Sequence, residues 1–339
     1  MNYIIIIPCL NEQPYIANLI DYLIADLNIS VTDSEPLLVM VDGGSSDGTQ
    51  EIIKSYAQKY ASVIYLQNPA KLQSCAINLA VKTYADNAEY LIRLDVHADY
   101  PSGYVSTLLL EALENHADSV VVTMDTQAKT PMQAVIAAAQ NSVLGNGGSG
   151  HRNNLAEGRW IDHGHHALIN VKAYKQVGGY DESFSHNEDA ELDYRLRQAG
   201  FNIWLTGKTN IVYYPRATLP ALFKQYKGYG RGRAKNIIKH KVVPKLRQCI
   251  PMSIFPLFLL FILGTFCWPI AVPFSTWLIL SLVVGILIGH KSLSEYGSIR
   301  YLVGLAAATM HFAWSLGFVL GVYDYLFSKF VKQGKNNGR

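Results

Sequence analysis

Two rhythms of apolar and polar positions run along the first two thirds of the chain. Short apolar runs at Ile4–Ile7, Leu37–Val41, Val63–Leu66, Tyr90–Leu94 and Ser119–Thr123 alternate with polar turns and predict buried strands. Between them, Tyr15–Asp26, Thr49–Tyr60 and Cys75–Tyr84 carry apolar residues at helical spacing. Strand, helix, strand in this order predicts an α/β fold, a mostly parallel sheet sandwiched by helices. Ligands of such sheets bind beyond the carboxyl ends of the strands, so the polar residues that follow each strand are the ones to read for chemistry. The Gly- and Asn-rich stretch from about Asn141 to Trp160 reads as a mobile loop, either a connector or a substrate lid.

After Cys249 the pattern becomes almost continuously apolar, in three stretches: Pro251–Ala271, Pro273–Ile288 and Tyr301–Phe327. Crossing a bilayer takes about 20 apolar residues. The first and third stretches are long enough and the second is marginal. Trp268, Trp277, Tyr301, Tyr323 and Tyr325 sit near their ends, as interfacial aromatics do, and His311 and Asp324 are the ionisable groups inside them. The sequence thus divides into a globular domain, residues 1–240, and a basic juxtamembrane segment with C-terminal transmembrane helices, residues 241–339.

Composition sharpens this picture in one respect. The net charge of +3 makes no case for nucleic acid, but its placement is uneven. No acid occurs between Tyr214 and Ser294, whereas Lys224, Lys227, Arg231, Arg233, Lys235, Lys239, Lys241, Lys245 and Arg247 crowd the first part of that interval. A basic run directly before an apolar segment suits the anionic lipids of a cytoplasmic leaflet. Ile4–Ile7, stopped by Pro8 and lacking a basic n-region, reads as a strand rather than a signal peptide. The expectation is a multi-pass protein of the inner (plasma) membrane with residues 1–240 cytoplasmic. Three crossings would place the basic tail (Lys329, Lys332, Lys335, Arg339) outside, so two true crossings are expected, with one stretch re-entrant or interfacial. The four cysteines (Cys9, Cys75, Cys249, Cys267) have no metal-ligand or redox spacing, and nothing asks for an oxidising compartment.

Four polar segments carry the candidate chemistry. Pro8-Cys9-Leu10-Asn11-Glu12 closes the first strand. Asp42-Gly43-Gly44-Ser45-Ser46-Asp47-Gly48-Thr49 closes the second, and a carboxylate at Asp42 can accept from an imide N–H such as uracil presents. Arg93-Leu94-Asp95-Val96-His97-Ala98-Asp99 follows a further strand, and Asp95 and His97 point to one side while the chain stays extended. A carboxylate with an imidazole suits Mn²⁺ better than Ca²⁺. Last, Gly178-Gly179-Tyr180-Asp181-Glu182 leads into Glu188-Asp189-Ala190-Glu191-Leu192-Asp193, an acidic helix start where a carboxylate can serve as general base.

In this order and spacing the four segments resemble family 2 glycosyltransferases of the GT-A fold, over about Asn2 to Arg233. The Asp95-Val96-His97-Ala98 variant, His163-Gly164-His165-His166 and Gly228-Tyr229-Gly230-Arg231-Gly232-Arg233 look most like the succinoglycan-type glucosyltransferases of exopolysaccharide synthesis. The resemblance implies a metal-dependent, inverting hexosyltransferase that uses a nucleotide-sugar donor, UDP-glucose, a lipid-linked saccharide acceptor and Mn²⁺ or Mg²⁺. Pro8, Asn11, Glu12, Asp42, Lys71, Asn78 and Asp95 would bind the nucleotide sugar. Asp95 and His97 would hold the metal, joined by His165 or His166. Asp189 would be the base, with Glu188 beside it, and Gln225, Lys227, Arg231 and Arg233 would meet phosphate or acceptor. Two positions depart from the family pattern: Gly43 stands where a second Asp is usual, and Gln225-Tyr226-Lys227-Gly228-Tyr229 replaces Gln-x-x-Arg-Trp, which argues against processive polymerisation. The alternatives are a polyprenyl-phosphate glycosyltransferase and a nucleotide-sugar-binding membrane scaffold without turnover.

Overall fold

The computed structural model describes residues 2–146, 157–244, 246–264 and 268–336, so of the loop expected from about Asn141 to Trp160, residues 147–156 lie outside the described residues. In chain order the elements are β1 (Tyr3–Cys9), α1 (Gln13–Asp26), β2 (Leu37–Asp42), α2 (Thr49–Lys59), β3 (Val63–Gln67), α3 (Gln73–Tyr84), β4 (Tyr90–Arg93), α4 (Tyr104–Glu114), β5 (Ser119–Thr126), α5 (Pro131–Asn141) and α6 (Val143–Asn146). They continue with β6 (Arg159–Trp160), β7 (His165–Asn170), α7 (Val171–Gln176), α8 (Glu188–Gln198), β8 (Ile203–Tyr213), α9 (Leu219–His240), α10 (Leu246–Leu263), α11 (Trp268–Ser292) and α12 (Val303–Asn336). Contacts group them into two compact units: residues 1–125 with 151–213, and residues 126–150 with 214–339.

The first unit is built on one sheet in the order β3-β2-β1-β4-β7-β5-β8-β6. Strands β3, β2, β1 and β4 are parallel, while β7 runs antiparallel to both β4 and β5. Side-chain alternation explains why the strands are apolar throughout. Ile5, Ile7, Leu38 and Met40 join one core with α1, α2 and α4, and Ile4, Ile6, Val39 and Val41 join a second with α3, α7 and α8. α1 follows the helical version of the same rule, burying Ile16, Leu19, Ile20 and Leu23 on one stripe. The strand order reverses at β1, since β2 and β3 lie to one side and β4 to the other. In open α/β sheets such a reversal, at the carboxyl ends of β1 and β4, is where ligands bind. Because β7 is antiparallel, its amino end, at His165, reaches the same edge of the sheet.

The second unit is helical. α5 packs with α9, α11 and α12 around Ala134, Val135, Ala139, Leu222, Val303 and Met310. Small residues set the helix crossings. A methyl group at Gly230 of α9 would fall on the Trp314 carbonyl oxygen of α12, and one at Gly317 would fall on the Lys227 carbonyl. Gly285 and Gly289 of α11 likewise meet Gly304 and the Arg300 carbonyl. Backbone-to-backbone approach at glycine is how helices associate where lipid tails compete for apolar contacts.

Two helical segments, Pro269–Ser292 and Ser294–Lys329, are long and apolar enough to cross a membrane by length and composition. This corrects which stretches are long. Pro251–Ala271 does not form one helix, because α10 ends at Leu263, and its apolar part, Gln248–Leu263, is shorter. The stretch expected to be marginal instead starts at Trp268, so Pro273 lies inside α11 rather than at its beginning. α10 also contains Pro256, which has no N–H for the Met252 carbonyl. Ser315 of α12 supplies the missing donor: its hydroxyl bonds Met252 O at 2.9 Å and accepts from the Phe255 N–H at 2.9 Å.

Candidate active site

Beyond β1 and β2, two turns are zipped together. Asn11, in the left-handed region at φ 57°, receives the Ser46 N–H on its side-chain oxygen at 2.9 Å and gives its own N–H to Ser45 Oγ at 2.8 Å. The Glu12 N–H donates to Thr49 Oγ1 at 2.9 Å and the Gln13 N–H to Asp47 Oδ2 at 3.1 Å. Asp42 is fully buried, and its carboxylate takes the Gly44 and Ser45 N–H groups and the Ser45 hydroxyl. This carboxylate shapes the turn from inside and has no exposed oxygen to offer a base. Lys71, exposed and also at positive φ (60°), lies across the turn from Gly43 and Gly44.

At the end of β4 the charges converge. Asp95 accepts from Gln73 Nε2 at 3.0 Å, lies 3.5 Å from Arg93 Nη2, and faces His165 Nε2 at 3.6 Å. Arg93 is buried and reaches the other way to Asp189, the second residue of α8, with Nη1 at 2.7 Å from Oδ1. The Tyr180 hydroxyl donates to the same Oδ1 at 2.8 Å, and Asp189 Oδ2 stands 3.9 Å from His165 Nδ1. Burial works to raise both aspartates, but the charge of Arg93 above all outweighs it and holds their pKa values below the usual carboxylate range. Glu188 goes the other way, pushed up to about 7 by burial and then by the charge of Asp189. Burial lowers the pKa of His165, which stands between the two carboxylates.

Residues 4–178 match glycosyl transferase family 2. The chain belongs to that family. It is 48% identical over 322 residues, 95% of either chain, to the succinoglycan biosynthesis protein ExoA of Rhizobium meliloti (strain 1021). Solved structures share its fold at low identity. The mannosyltransferase PcManGT from Pyrobaculum calidifontis, in complex with GDP-Man and Mn²⁺, has a TM-score of 0.54 at 16% identity, covering 95% of this chain and 87% of that one. S. aureus TarS 1-349 in complex with UDP-GlcNAc has a TM-score of 0.50 at 15% identity, covering 94% and 90%.

Several residues of this family 2 glycosyltransferase stand elsewhere than its sequence suggests. Asn78 bonds at every polar position: Oδ1 accepts from the Tyr174 hydroxyl and the Tyr180 N–H, and Nδ2 donates to Tyr180 O and Glu182 Oε1. It clamps the loop that carries Tyr180, so its bonding capacity is spent before any donor arrives. Gly179, at φ 68°, lets that loop approach, since a Cβ there would meet Asn78 Oδ1 at 2.5 Å. His166 is turned into the interior, with Nε2 2.8 Å from Asp193 Oδ1 and Nδ1 3.0 Å from Ser119 Oγ, so of the two candidate histidines only His165 faces Asp95. Asp193 also holds His163 Nδ1 at 2.6 Å. His97 is exposed and lies 3.3 Å from Glu12 Oε1.

Among the described residues no three His, Cys, Asp or Glu side chains converge as a metal set. Gln225, Lys227, Arg231 and Arg233 are not in this unit at all. They lie on α9, where Gln225 Nε2 donates to the Tyr229 hydroxyl at 2.9 Å, Arg231 pairs with Asp324 at 2.6 Å and Arg233 reaches Gln248 at 3.2 Å. The Gly228–Arg233 run is thus the middle of a packed helix. Gln73, Arg93, Tyr180 and Asp193 have no role that the sequence assigns, although all but Gln73 lie within the candidate segments. Arg93 alone left a signal there, as a cation at the end of an otherwise apolar strand.

Proposed function

We propose that this glycosyltransferase is an inverting enzyme that transfers glucose from UDP-glucose to a lipid-linked saccharide at the cytoplasmic face of the plasma membrane, in succinoglycan-type exopolysaccharide synthesis. One observation carries the reading: two partly exposed carboxylates, Asp95 and Asp189, are held by a single buried guanidinium at the strand-order reversal. One carboxylate can serve the donor and the other the acceptor. The relative at 48% identity, named for succinoglycan biosynthesis, supports the pathway.

Asp189 Oδ1 is held by Arg93 and Tyr180, so Oδ2 is the oxygen disposed to take a proton. It removes the proton of the acceptor hydroxyl as that oxygen bonds to the anomeric carbon, while the bond to the diphosphate breaks on the opposite side and nucleoside diphosphate leaves. The zipped turns at Pro8–Glu12 and Asp42–Thr49, with Lys71 across them, form the nucleotide end, and Asp42 acts by maintaining the turn. Asp95 Oδ2 and the His165 imidazole, 3.6 Å apart, would be the protein donors to a Mn²⁺ or Mg²⁺ ion. When bound, such an ion stabilises charge on the leaving diphosphate.

The test incubates membranes containing the enzyme with labelled UDP-glucose, UDP-galactose or GDP-mannose, each with Mn²⁺, Mg²⁺ or chelator. UDP-glucose should label a lipid fraction, Mn²⁺ should serve at least as well as Mg²⁺, and chelator should stop transfer. Labelling from another donor would overturn the sugar assignment, and full activity in chelator would remove the metal.

A further inference from the structure

We infer that Arg93 is a positioning residue for transfer: it locks one oxygen of Asp189 in place so that the other meets the acceptor hydroxyl. The inference rests on Asp189 being the base. Arg93 is the last residue of β4, paired in register with Ile6 of β1, at the point where the strand order reverses. Its side chain is buried, yet its bonds are not those of a purely structural arginine. One nitrogen holds Asp189 at 2.7 Å, the other stands 3.5 Å from Asp95, and Nε is buried with no hydrogen-bond partner among the described residues. Burying a guanidinium is expensive, and a buried ion pair replaced as a whole by apolar side chains of similar volume commonly leaves an equally stable core. Stability is therefore a poor reason for a cation here.

Geometry offers a better reason. Asp189 is the second residue of α8, two after the N-cap Asn187 in the left-handed conformation (φ 63°), a helix end with no side-chain cap. A carboxylate on the first turn of a helix keeps rotational freedom unless something outside the helix holds it. Arg93 and Tyr180 both bond Oδ1, fixing the side chain from the strand and from the neighbouring loop. Tyr180 is in turn held through its backbone by Asn78. A base fixed at one oxygen presents the other in one direction, which is the orientation term that raises rate without raising affinity.

The experiment uses the full chain in lipid nanodiscs, with UDP-glucose as donor and extracted membrane lipid as acceptor. Arg93→Met, Arg93→Lys, Tyr180→Phe and Asp189→Asn are compared for kcat, for KM of the donor and for UDP affinity. Arg93→Met should lower kcat by about 10²-fold or more, in the range of losing a positioned base, with donor KM and UDP affinity nearly unchanged. Arg93→Lys should recover part of that loss, because it restores the charge but not the two-nitrogen reach. If Asp189→Asn keeps its turnover, the base assignment itself fails. If Asp189→Asn is inactive while Arg93→Met turns over normally, or loses donor affinity instead of kcat, the positioning role is wrong. Should Arg93→Met not fold, Tyr180→Phe decides: a lower kcat at unchanged UDP affinity supports the inference, and an unchanged kcat overturns it.

Discussion

At the scale of residues, the site separates two acids that are neighbours in sequence. Asp189 is ionised by its partners, whereas burial and the adjacent charge raise Glu188 to about 7. Asp189→Asn should cut transfer by about 10²–10⁴-fold while leaving UDP binding nearly intact, because the base acts on the acceptor; single-turnover assays beside UDP titration would check this. Asp42→Ala should do the reverse, since loss of its bonds loosens the turn at the nucleotide end. Glu188 has a consequence for stability. Its folded pKa lies above the ordinary 4.5, so its contribution is fully present below that value and is lost as pH rises through about 7. Glu188→Gln cannot ionise. Its Tm relative to wild type should therefore be higher at pH 8 than at pH 5, and equal differences at the two pH values would rule out the shift.

The acids themselves were legible from strand ends and helix starts. Their partners were not. Arg93 and Asp189 are 96 residues apart, and nothing local to either announces the pair. Asn78 shows the converse. Its place in the chain matches a donor-binding segment, but only the fold reveals that Tyr174, Tyr180 and Glu182 have already taken its bonds.

At the scale of elements, the parallel strands and their helices follow from periodicity, because a strand buried on both faces must be apolar throughout. The glycines of α9 had the opposite fate. Read alone, a run of Gly and Arg offers cations to phosphate or acceptor, but within a helix the same glycines clear a path for the backbone of α12. Gly230→Leu should force α9 and α12 apart and lower Tm in nanodiscs by an amount equivalent to about 1–3 kcal/mol or more, since the obstructing atoms are backbone and cannot turn aside. Ser315→Ala should cost about 1–3 kcal/mol by leaving the Met252 carbonyl without a donor in an apolar setting. A Tm unchanged by Ser315→Ala would show that α10 satisfies this carbonyl another way.

At the scale of the whole molecule, the open question is topology. α11 and α12 are the helices with the length and apolar character to span, and α10 is short and carries internal prolines. Two crossings would return the chain to its starting side, which agrees with the positive charges of the tail. A cysteine introduced after Lys335 should therefore resist an impermeant thiol reagent in intact cells and react after permeabilisation. Labelling in intact cells would instead require three crossings.

The sequence by itself determined the α/β architecture, the apolar C-terminal helices, the family and the acids that carry the candidate chemistry. Each of these is written in residues close together in the chain, as periodicity, turn chemistry or a short motif. Tertiary structure alone decided that His165 rather than His166 meets Asp95, because that depends on β7 running antiparallel beside β4. It also decided that one buried guanidinium joins the two key carboxylates, and that the Gly-Arg run belongs to helix packing. These outcomes depend on strand order and helix crossing, which bring together groups that no local pattern connects.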